Sequence, residues 1–387
     1  MSVVGGQSVP SVSSPLRIGV DARCLNTAHL RGMGKYVTEL IAHISPAENL
    51  SWRYFADRPD IVFHKPKGSD GEIELFEIKG YRFHTWEQVG LPWRAWRTGT
   101  QVLHCTATTL PYWQPIPTIV TLHDTLPWKR TISDPYESWY RNKLVPSAYK
   151  RCAAVITISE SSRQDILSLW PWLEHKLYVI PHGVSDIYQG AKKFSLSAEL
   201  KRVVGSSPYF LYIGGAIERK RFAWATEVFA QLETGSLKLV VCGFSEQEHE
   251  KAQNALKPEL RSRVCFLPYV NEIDMPGLYQ QAVAVLYPTL YEGFGLPALE
   301  AQAVGTPVLL SDLSSLRELK GPGAEVLPVD ELDAWVQTCR RLLARRAIAL
   351  DPNQAARSWA QQFSWSASAN RHIEIYRDAV TPGKIPR

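Results

Sequence analysis

Short apolar runs that alternate with helix-like stretches constrain the fold of this 387-residue chain more than any other feature. In the first half, such runs cover residues 17–21, 101–104, 118–122, 154–158 and 176–180. Helical patterns separate most of them, for example over residues 139–152 and 161–169. We expect the second of these helices to open with an N-cap region at residues 159–162. Strands that are buried on both faces and alternate with helices are typical of a parallel sheet covered by helices, so the sequence predicts an α/β fold.

The alternation pauses after residue 183 and restarts near residue 208. The second series of apolar runs covers residues 208–215, 238–243, 264–267, 284–287 and 307–310. The polar stretch 194–207 between the two series looks like a linker. A chain of 387 residues also suits two domains, since one soluble domain usually holds about 100–200 residues. We therefore expect two Rossmann-like, doubly wound domains facing a cleft in which a ligand binds.

The composition argues against several kinds of protein. The 43 basic and 38 acidic side chains leave a net charge of only +5, which is no signature of nucleic-acid binding. None of the six cysteines forms a CxxC pair, so we expect no zinc or redox motif, and buried free thiols suit a reducing compartment. The first residues lack the pattern of a signal peptide, and no run approaches the roughly 18 apolar residues of a membrane span. We expect a cytoplasmic protein.

Tryptophan is unusually frequent, with 13 in the chain and eight of them between Trp86 and Trp172. These rings could face lipid or a sugar, and they could equally belong to the core. The segment WEQVGLPWRAWR at residues 86–97 also carries arginine. Such a segment could rest on the inner face of a membrane or pack as an ordinary part of the domain.

The strongest chemical motif is EGFGLPALE at residues 292–300, which follows an apolar run. We expect a helix to begin within it, near Leu296 and Pro297, because proline is well tolerated in the first turn of a helix. Gly293 and Gly295 would let the backbone approach a ligand closely, and N–H groups at a helix start bind anions such as diphosphate. The carboxylates of Glu292 and Glu300 could accept hydrogen bonds from hydroxyls of the same ligand. Spacing alone also fits an ordinary strand–helix connection with two solvated glutamates.

Three weaker features accompany this motif. A glycine pair at 214–215 is followed by three successive cations at 219–221, which suit a leaving diphosphate or an ordinary basic loop. His123 ends an apolar run, where a ligand contact and a core histidine are both common. Gly32 and Gly34 suggest a loop at the head of a helix, but they do not match the GxGxxG dinucleotide fingerprint.

Together these features resemble glycosyltransferase family 4, whose members have the GT-B fold, over residues 18–376. EGFGLPALE matches the E-x7-E signature of that family. Residues 214–220 match its Gly-x5-Lys stretch, 123–127 its His-Asp-x-x-Pro segment and 32–34 its glycine-rich acceptor-side loop. We expect a disordered lead-in at 1–16, an N-terminal acceptor-side domain at 17–185, a C-terminal nucleotide-sugar-binding domain at 186–365, and a C-terminal helix at 366–387 packing back towards the N-terminal domain.

The resemblance also implies roles for individual residues. Glu292 would contact the donor sugar, His123 would lie close to the reacting sugar, and Glu300 would bind the ribose. Lys220 would bind the diphosphate, with Arg219 nearby. The other implied donor-binding positions are Gly34, Gly215, Leu267, Tyr269, Val270, Gly293, Phe294, Gly295 and Leu296. We expect His123, Lys220 and Glu292 to be the catalytic residues among these.

One position departs from the family pattern. Many relatives carry arginine where this chain has Gly215. Arg219 or Arg221 could supply the missing charge, or the backbone could hold more of the diphosphate.

The implied reaction is hexosyl transfer with retention of anomeric configuration and without a metal. The leaving phosphate would help to deprotonate an acceptor that attacks from the same face, while the protein supplies positioning and charge. The donor predicted first is UDP-glucose or a similar UDP-sugar, with GDP-mannose second, and the acceptor is a saccharide or lipid-linked saccharide in polysaccharide biosynthesis. A nucleotide-sugar epimerase or phosphorylase-like enzyme of the same fold and a non-catalytic carbohydrate- or nucleotide-binding protein stay as alternatives.

Overall fold

The computed structural model describes residues 14–78, 83–190, 193–232, 235–267, 269–348 and 353–384. The predicted lead-in falls mostly on residues 1–13, which lie outside these ranges, and Leu16 already begins the first strand. The chain divides into two compact units. The first unit comprises Met1–Thr121, Tyr136–Val155 and Ile373–Arg387, and the second comprises Leu122–Pro135 and Ile156–His372.

Within the described residues, the strands form two sheets, of seven and six strands. The first sheet contains β1 (Leu16–Asp21), β2 (Leu50–Ala56), β3 (Glu72–Leu75), β4 (Val102–Cys105), β5 (Thr118–Thr121), β6 (Ala154–Thr157) and β7 (Leu177–Val179). The second contains β8 (Tyr209–Ile213), β9 (Lys238–Cys242), β10 (Val264–Phe266), β11 (Val285–Tyr287), β12 (Val308–Ser311) and β13 (Ala324–Leu327).

Helices separate most of the strands. They are α1 (Gly32–Ala42), α2 (Phe83–Thr85), α3 (Leu91–Arg97), α4 (Leu126–Lys129), α5 (Pro135–Trp139), α6 (Val145–Arg151), α7 (Glu160–Leu169), α8 (Ala198–Val204), α9 (Phe222–Ala230), α10 (Glu246–Ala255), α11 (Met275–Gln281), α12 (Leu296–Ala303), α13 (Leu332–Ile348), α14 (Gln354–Ala360) and α15 (Trp365–Val380). Two π-helical turns, Trp86–Gly90 and Tyr140–Leu144, continue directly into α3 and α6.

The strand order in each sheet reverses at one point. It runs β3-β2-β1-β4-β5-β6-β7 in the first sheet and β10-β9-β8-β11-β12-β13 in the second, where neighbouring strands are parallel throughout. The reversal in the second sheet therefore lies between β8 and β11. Ligands bind outside the carboxyl ends of strands at such a switch point. The predicted Gly–Lys loop follows β8 and the predicted E-x7-E segment follows β11, so both begin at this point.

The fold confirms the predicted α/β class with two Rossmann-like sheets, and ten of the thirteen strands coincide with predicted apolar runs. Strands β2, β3 and β13 were not predicted, because polar residues interrupt the apolar run in each of them; β3, for example, is largely exposed. The linker expected at 194–207 is wrong. That stretch contains α8, whose Leu200 and Val204 join the apolar core of the second unit.

Three further features bear on function. All six cysteines are free, as expected. In the described parts of the chain, no helix is long and apolar enough to cross a membrane. Within the same parts, no group of three or more His, Cys, Asp or Glu side chains is placed to hold a metal ion.

Candidate active site

The two loops that leave β8 and β11 meet through hydrogen bonds. The backbone N–H of Leu290 donates to the carbonyl of Arg219 at 2.8 Å, and the Thr289 hydroxyl lies 3.2 Å from the same carbonyl. Thr289 is fully buried. The loop after β8, with its cations, is thereby fixed against the loop that carries Glu292.

Glu292 lies where these loops meet, and its side chain is only 11% exposed. Its Oε1 accepts hydrogen bonds from Arg219 Nη1 at 3.0 Å, from Thr289 Oγ1 at 2.9 Å and from Lys220 Nζ. These three hydrogen bonds all go to Oε1. An ionised carboxylate can accept several more, so Oε2 is left to accept from a ligand hydroxyl.

Lys220 is largely withdrawn from water between β8 and β11. Its ammonium group donates to the Tyr287 hydroxyl at 3.0 Å and lies 5.0 Å from the centre of that ring, in addition to its bond with Glu292. Burial lowers the pKa of Lys220, and the negative charge of Glu292 opposes that shift. A desolvated cation interacts more strongly with an incoming anion than a solvated one does, which suits a diphosphate-binding residue.

The two arginines beside Lys220 have different partners. Arg219 Nη1 donates to the carbonyl of Tyr291 at 2.6 Å as well as to Glu292. Arg221 turns to other groups, with bonds of 2.6 Å to the carbonyl of Val329 and 2.8 Å to Asp330 Oδ1. Arg219 and Arg221 are the two arginines that could replace the arginine of many relatives at position 215. Arg219 is thus the one of the two that is held at Glu292.

The structure gives a physical reason for glycine at position 215. Gly215 has a φ of +69°, in the left-handed region that favours glycine. A Cβ added there would lie 2.5 Å from the carbonyl oxygen of Gly243. An arginine at this position would require the β8 and β9 loops to move apart.

Three successive carbonyl groups of the EGFGLPALE segment are held by buried serines. The Ser315 hydroxyl lies 2.8 Å from the Glu292 carbonyl and 3.0 Å from the Phe294 carbonyl. The Gly293 carbonyl accepts from Ser159 at 2.7 Å and from Ser162 at 3.2 Å. In a trans peptide the N–H points opposite to the C=O. The serines therefore turn the N–H groups of residues 293–295 away from themselves, in an arrangement that can bind an anion.

Helix α12 begins directly after these residues, as predicted, with a proline in its first turn. Its N-cap, Gly295, has a φ of 109°, and within the described residues no side chain caps the helix. The first-turn N–H groups and the helix dipole are thus available for a negatively charged group. Phe294, on the other side of Gly295, is buried, and Leu296 packs against the apolar core.

His123 lies beside the same segment within the second unit. A Cβ on Gly293 would come within 2.7 Å of the His123 carbonyl oxygen, so glycine is needed for this close approach. Ser162 lies between the two segments, because its hydroxyl is 3.0 Å from the His123 carbonyl and 3.2 Å from the Gly293 carbonyl. The structure thus brings His123 next to Gly293.

A second histidine lies against His123. The ring centroids of His123 and His182 are 5.8 Å apart, and the His182 ring also lies 5.2 Å from Phe294. Burial lowers the pKa of His182 well below its ordinary value, and nearby His123 and His372 lower it further. His182 is therefore neutral at physiological pH, and only one of two adjacent imidazoles can carry a charge at low cost.

Glu300 lies on the second turn of α12 and is 8% exposed. Its Oε2 accepts a hydrogen bond of 2.6 Å from the hydroxyl of Tyr279 on α11. Burial raises the pKa of Tyr279 well above its ordinary value, and the neighbouring carboxylate adds to that effect. The tyrosine thus stays a hydrogen-bond donor and orients the carboxylate.

The other predicted donor-binding positions differ in exposure. Leu267 is buried and Val270 packs against the apolar core that also contains Phe294, whereas Tyr269 is 58% exposed. Gly34 belongs to the first unit. The predicted loop around it is wrong, because Gly34 lies in the first turn of α1, where a Cβ would come within 2.8 Å of the Cys24 carbonyl oxygen.

Sequence reasoning missed the groups that support this site. Ser159, Ser162, Ser315 and Tyr279 are not part of any motif, and their partners are distant in the chain. Ser159 gave a partial signal as the predicted start of a helix, and it does cap α7 by accepting from the Ser162 N–H at 3.0 Å. Its second role at Gly293, 134 residues away, had no signal in the sequence.

Two family models match the chain. The model for glycosyl transferases group 1 matches residues 198–359, and the model for glycosyltransferase family 4 matches residues 31–186. Between them they match more than half of the chain. Among curated proteins, the O-antigen chain mannosyltransferase RfbU of Salmonella typhimurium is 27% identical over 239 residues, covering 58% of this chain and 64% of that protein. The chain spans less than two thirds of the length of the first curated relatives that it matches.

Solved structures share the fold at low sequence identity. The sucrose-phosphate synthase of Thermosynechococcus elongatus has a TM-score of 0.72 at 19% identity, over 93% of this chain and 98% of that one. The Anabaena protein Alr3699/HepE, solved in complex with UDP and glucose, has a TM-score of 0.69 at 15% identity over the same shares. With both of its halves matched by glycosyltransferase models and its two Rossmann-like sheets shared with GT-B structures, this chain belongs to glycosyltransferase family 4.

Proposed function

We propose that this protein is a retaining glycosyltransferase that moves a hexosyl group from a nucleoside-diphosphate sugar to a saccharide or lipid-linked saccharide in polysaccharide biosynthesis. The observation that carries the proposal is the arrangement at Glu292. Two cations and a row of oriented N–H groups lie beside a carboxylate whose Oε2 can accept from a ligand. That combination suits a sugar joined to a diphosphate.

Each group then has a role in the transfer. Lys220, Arg219 and the N–H groups of residues 293–296, together with the backbone at Gly215, would bind the diphosphate and stabilise the charge that develops as it leaves. Glu292 would hold the sugar through Oε2, and His123 would lie at the reacting sugar. Glu300 would accept from the ribose, while Leu267, Tyr269 and Val270 would flank the base.

The contacts of Glu292 also bear on the stereochemistry. A carboxylate that already accepts from two cations is a weak nucleophile, because its charge is neutralised. Glu292 is therefore better suited to positioning than to covalent catalysis. We propose same-face attack with retention, in which the leaving phosphate takes the acceptor proton. The charge of Lys220 and Arg219 supports a reaction without metal, so activity should survive a chelator.

The donor has two candidates, each favoured by a different observation. Curated relatives named as O-antigen mannosyltransferases are 25–27% identical to this chain, which favours GDP-mannose. The UDP-sugar expected from sequence is supported by the fold shared with the UDP-bound Anabaena protein, at only 15% identity. Because the sequence similarity to the mannosyltransferases is the greater, we place GDP-mannose first and UDP-glucose second.

Release of nucleoside diphosphate tests the proposal. Purified protein is incubated with GDP-mannose, UDP-glucose or ADP-glucose, with and without chelator, and the released nucleotide and sugar are measured. We expect turnover with one donor, and Glu292→Gln should lower kcat about 100-fold or more, as loss of an electrostatic contact in an active site does. Binding of every donor without release, or release of an epimerised nucleotide sugar, would contradict transfer.

A further inference from the structure

Among the exposed large apolar side chains of the first unit, seven come from three segments and are 40–57% exposed: Val89, Trp93, Trp96, Tyr112, Trp113, Tyr136 and Trp139. We call this set the aromatic face. Six of the seven are tryptophan or tyrosine. Soluble proteins rarely expose many large apolar groups together unless the surface binds something.

Part of the aromatic face is a helical stripe. Val89, Trp93 and Trp96 are spaced i, i+4 and i+7 along the π-turn and α3, so they point to the same side. The opposite side of this stretch is packed, because Leu91 and Ala95 are fully buried. The exposed rings are thus not needed for the packing of the segment.

The other rings adjoin this stripe at Val89. Val89, Tyr112, Trp113, Tyr136 and Trp139 line one shallow cavity of about 370 Å³. Gln88, a polar group in its lining, is already engaged. Its Oε1 accepts from the Tyr112 N–H at 2.8 Å and its Nε2 donates to the Leu110 carbonyl at 3.1 Å. His84 and Thr85 are the other polar residues of the lining, against six apolar or aromatic ones, so the cavity is better suited to apolar groups than to a sugar, which needs many hydrogen bonds.

The charge around the aromatic face is positive. Segments 83–97, 107–117 and 136–151, which carry the face, contain six Lys or Arg residues and two Glu residues. One of the glutamates, Glu87, is fully buried. Arg97 lies over the Trp93 ring at 5.0 Å and Arg151 over the Tyr112 ring at 4.9 Å, so cations border the exposed rings. This charge complements an anionic surface.

We propose that the aromatic face docks on an anionic lipid bilayer. Tryptophan and tyrosine are amphipathic and lie at the headgroup level of membranes, and neighbouring Arg and Lys interact with lipid phosphates. The first unit then binds the membrane peripherally. The proposal goes beyond glycosyl transfer and does not depend on it.

Vesicle co-sedimentation tests the proposal with the full chain. Vesicles of phosphatidylcholine alone are compared with vesicles that also contain phosphatidylglycerol. We expect the protein to sediment with the anionic vesicles and salt to release it. Arg97→Gln with Arg151→Gln should lower the partition coefficient about fivefold per removed cation. Trp93→Ser with Trp96→Ser should abolish most binding.

The matched control is Leu169→Ser with Ile273→Ser, two exposed apolar residues of the second unit, at 44% and 80% exposure. This variant should bind vesicles like the wild type. Circular dichroism and donor turnover with a soluble acceptor verify that every variant is folded. Wild-type protein that stays in the supernatant with both kinds of vesicle would overturn the proposal. Sedimentation of the tryptophan variant like the wild type would also overturn it. So would substitutions that change only the binding of a soluble oligosaccharide or the oligomeric state of the protein, and not the binding to vesicles.

Discussion

The hydroxyl of Ser315 lies 2.8 Å from the carbonyl oxygen of Glu292, to which it donates a hydrogen bond. The same hydroxyl is 3.0 Å from the carbonyl of Phe294, so one fully buried side chain lies against two peptide groups of the EGFGLPALE segment. Those peptides would otherwise be free to rotate. Because the orientation of their N–H groups depends on the serine, Ser315 is a positioning residue in the proposed site.

Replacing Ser315 should therefore impair donor turnover. In Ser315→Ala the carbonyls of Glu292 and Phe294 lose the one hydroxyl proton that they share, and leaving one buried carbonyl unsatisfied costs about 1–3 kcal/mol. We expect kcat/KM for the donor to fall about tenfold or more, since 1.4 kcal/mol corresponds to a factor of 10. Ser311→Ala is the control, because Ser311 is equally buried and its hydroxyl makes no hydrogen bond to the described residues. Equal effects of both substitutions would indicate a packing role only.

Tyr279 should affect donor binding through Glu300. In Tyr279→Phe the carboxylate loses a hydrogen bond of 2.6 Å, so its orientation towards the ribose is less restricted. Steady-state kinetics should show KM for the donor raised several-fold with kcat little changed. Tyr209→Phe removes an equally buried bond, of 2.8 Å to the Leu278 carbonyl, and should leave KM unchanged. An unaltered KM in Tyr279→Phe would argue against a ribose role for Glu300.

The neighbouring arginines offer a matched pair of substitutions. Arg219→Gln removes a charge 3.0 Å from Glu292 Oε1, whereas Arg221→Gln removes one bound to Val329 and Asp330. If Arg219 stabilises the leaving diphosphate, its loss should lower kcat about 100-fold, as removal of other transition-state contacts does. The Arg221 variant should retain activity within about threefold. Similar losses in both would show that Arg219 has no special part in the reaction.

The buried histidines predict a pH dependence of stability. Burial lowers the pKa of His372 to about 4 from its ordinary 6.5. Below pH 6.5 the imidazole of His372 binds a proton in the unfolded chain but not in the folded chain. The free energy of unfolding therefore falls as pH falls, down to about pH 4. The slope for one such group is about 1.4 kcal/mol per pH unit. His182 acts in the same direction.

Urea denaturation at several pH values measures this effect. The glutamine in His372→Gln cannot take up a proton. The unfolding free energy of this variant should therefore depend less steeply on pH below 6.5 than that of the wild type, by the slope that corresponds to one proton. His175→Gln, at an exposed position, should keep the wild-type slope. The prediction fails if the His372 variant and the wild type lose stability in parallel.

The elements of this fold follow closely from local patterns. Apolar runs of four or five residues predict the buried strands β4, β5, β6 and β9, and a proline after a glycine-rich loop predicts the start of α12. These signals are local because side-chain periodicity and backbone preference depend on near neighbours. Strand β3 lies at the sheet edge with exposed side chains, so it lacks such a signal. The glycines at 32 and 34 were misread because a first helical turn and a loop look alike in composition.

The sequence by itself determined the α/β alternation, the family and the glutamate pair of the E-x7-E motif. Only the tertiary structure decided how those glutamates are held. Lys220 and Glu292 are 72 residues apart, and Ser159 and Gly293 are 134 apart, so no periodicity connects them. The strand order decides these contacts, because it places the ends of β8 and β11 side by side. Packing likewise decided that Trp86 is buried while Trp93 and Trp96, from the same segment, are exposed.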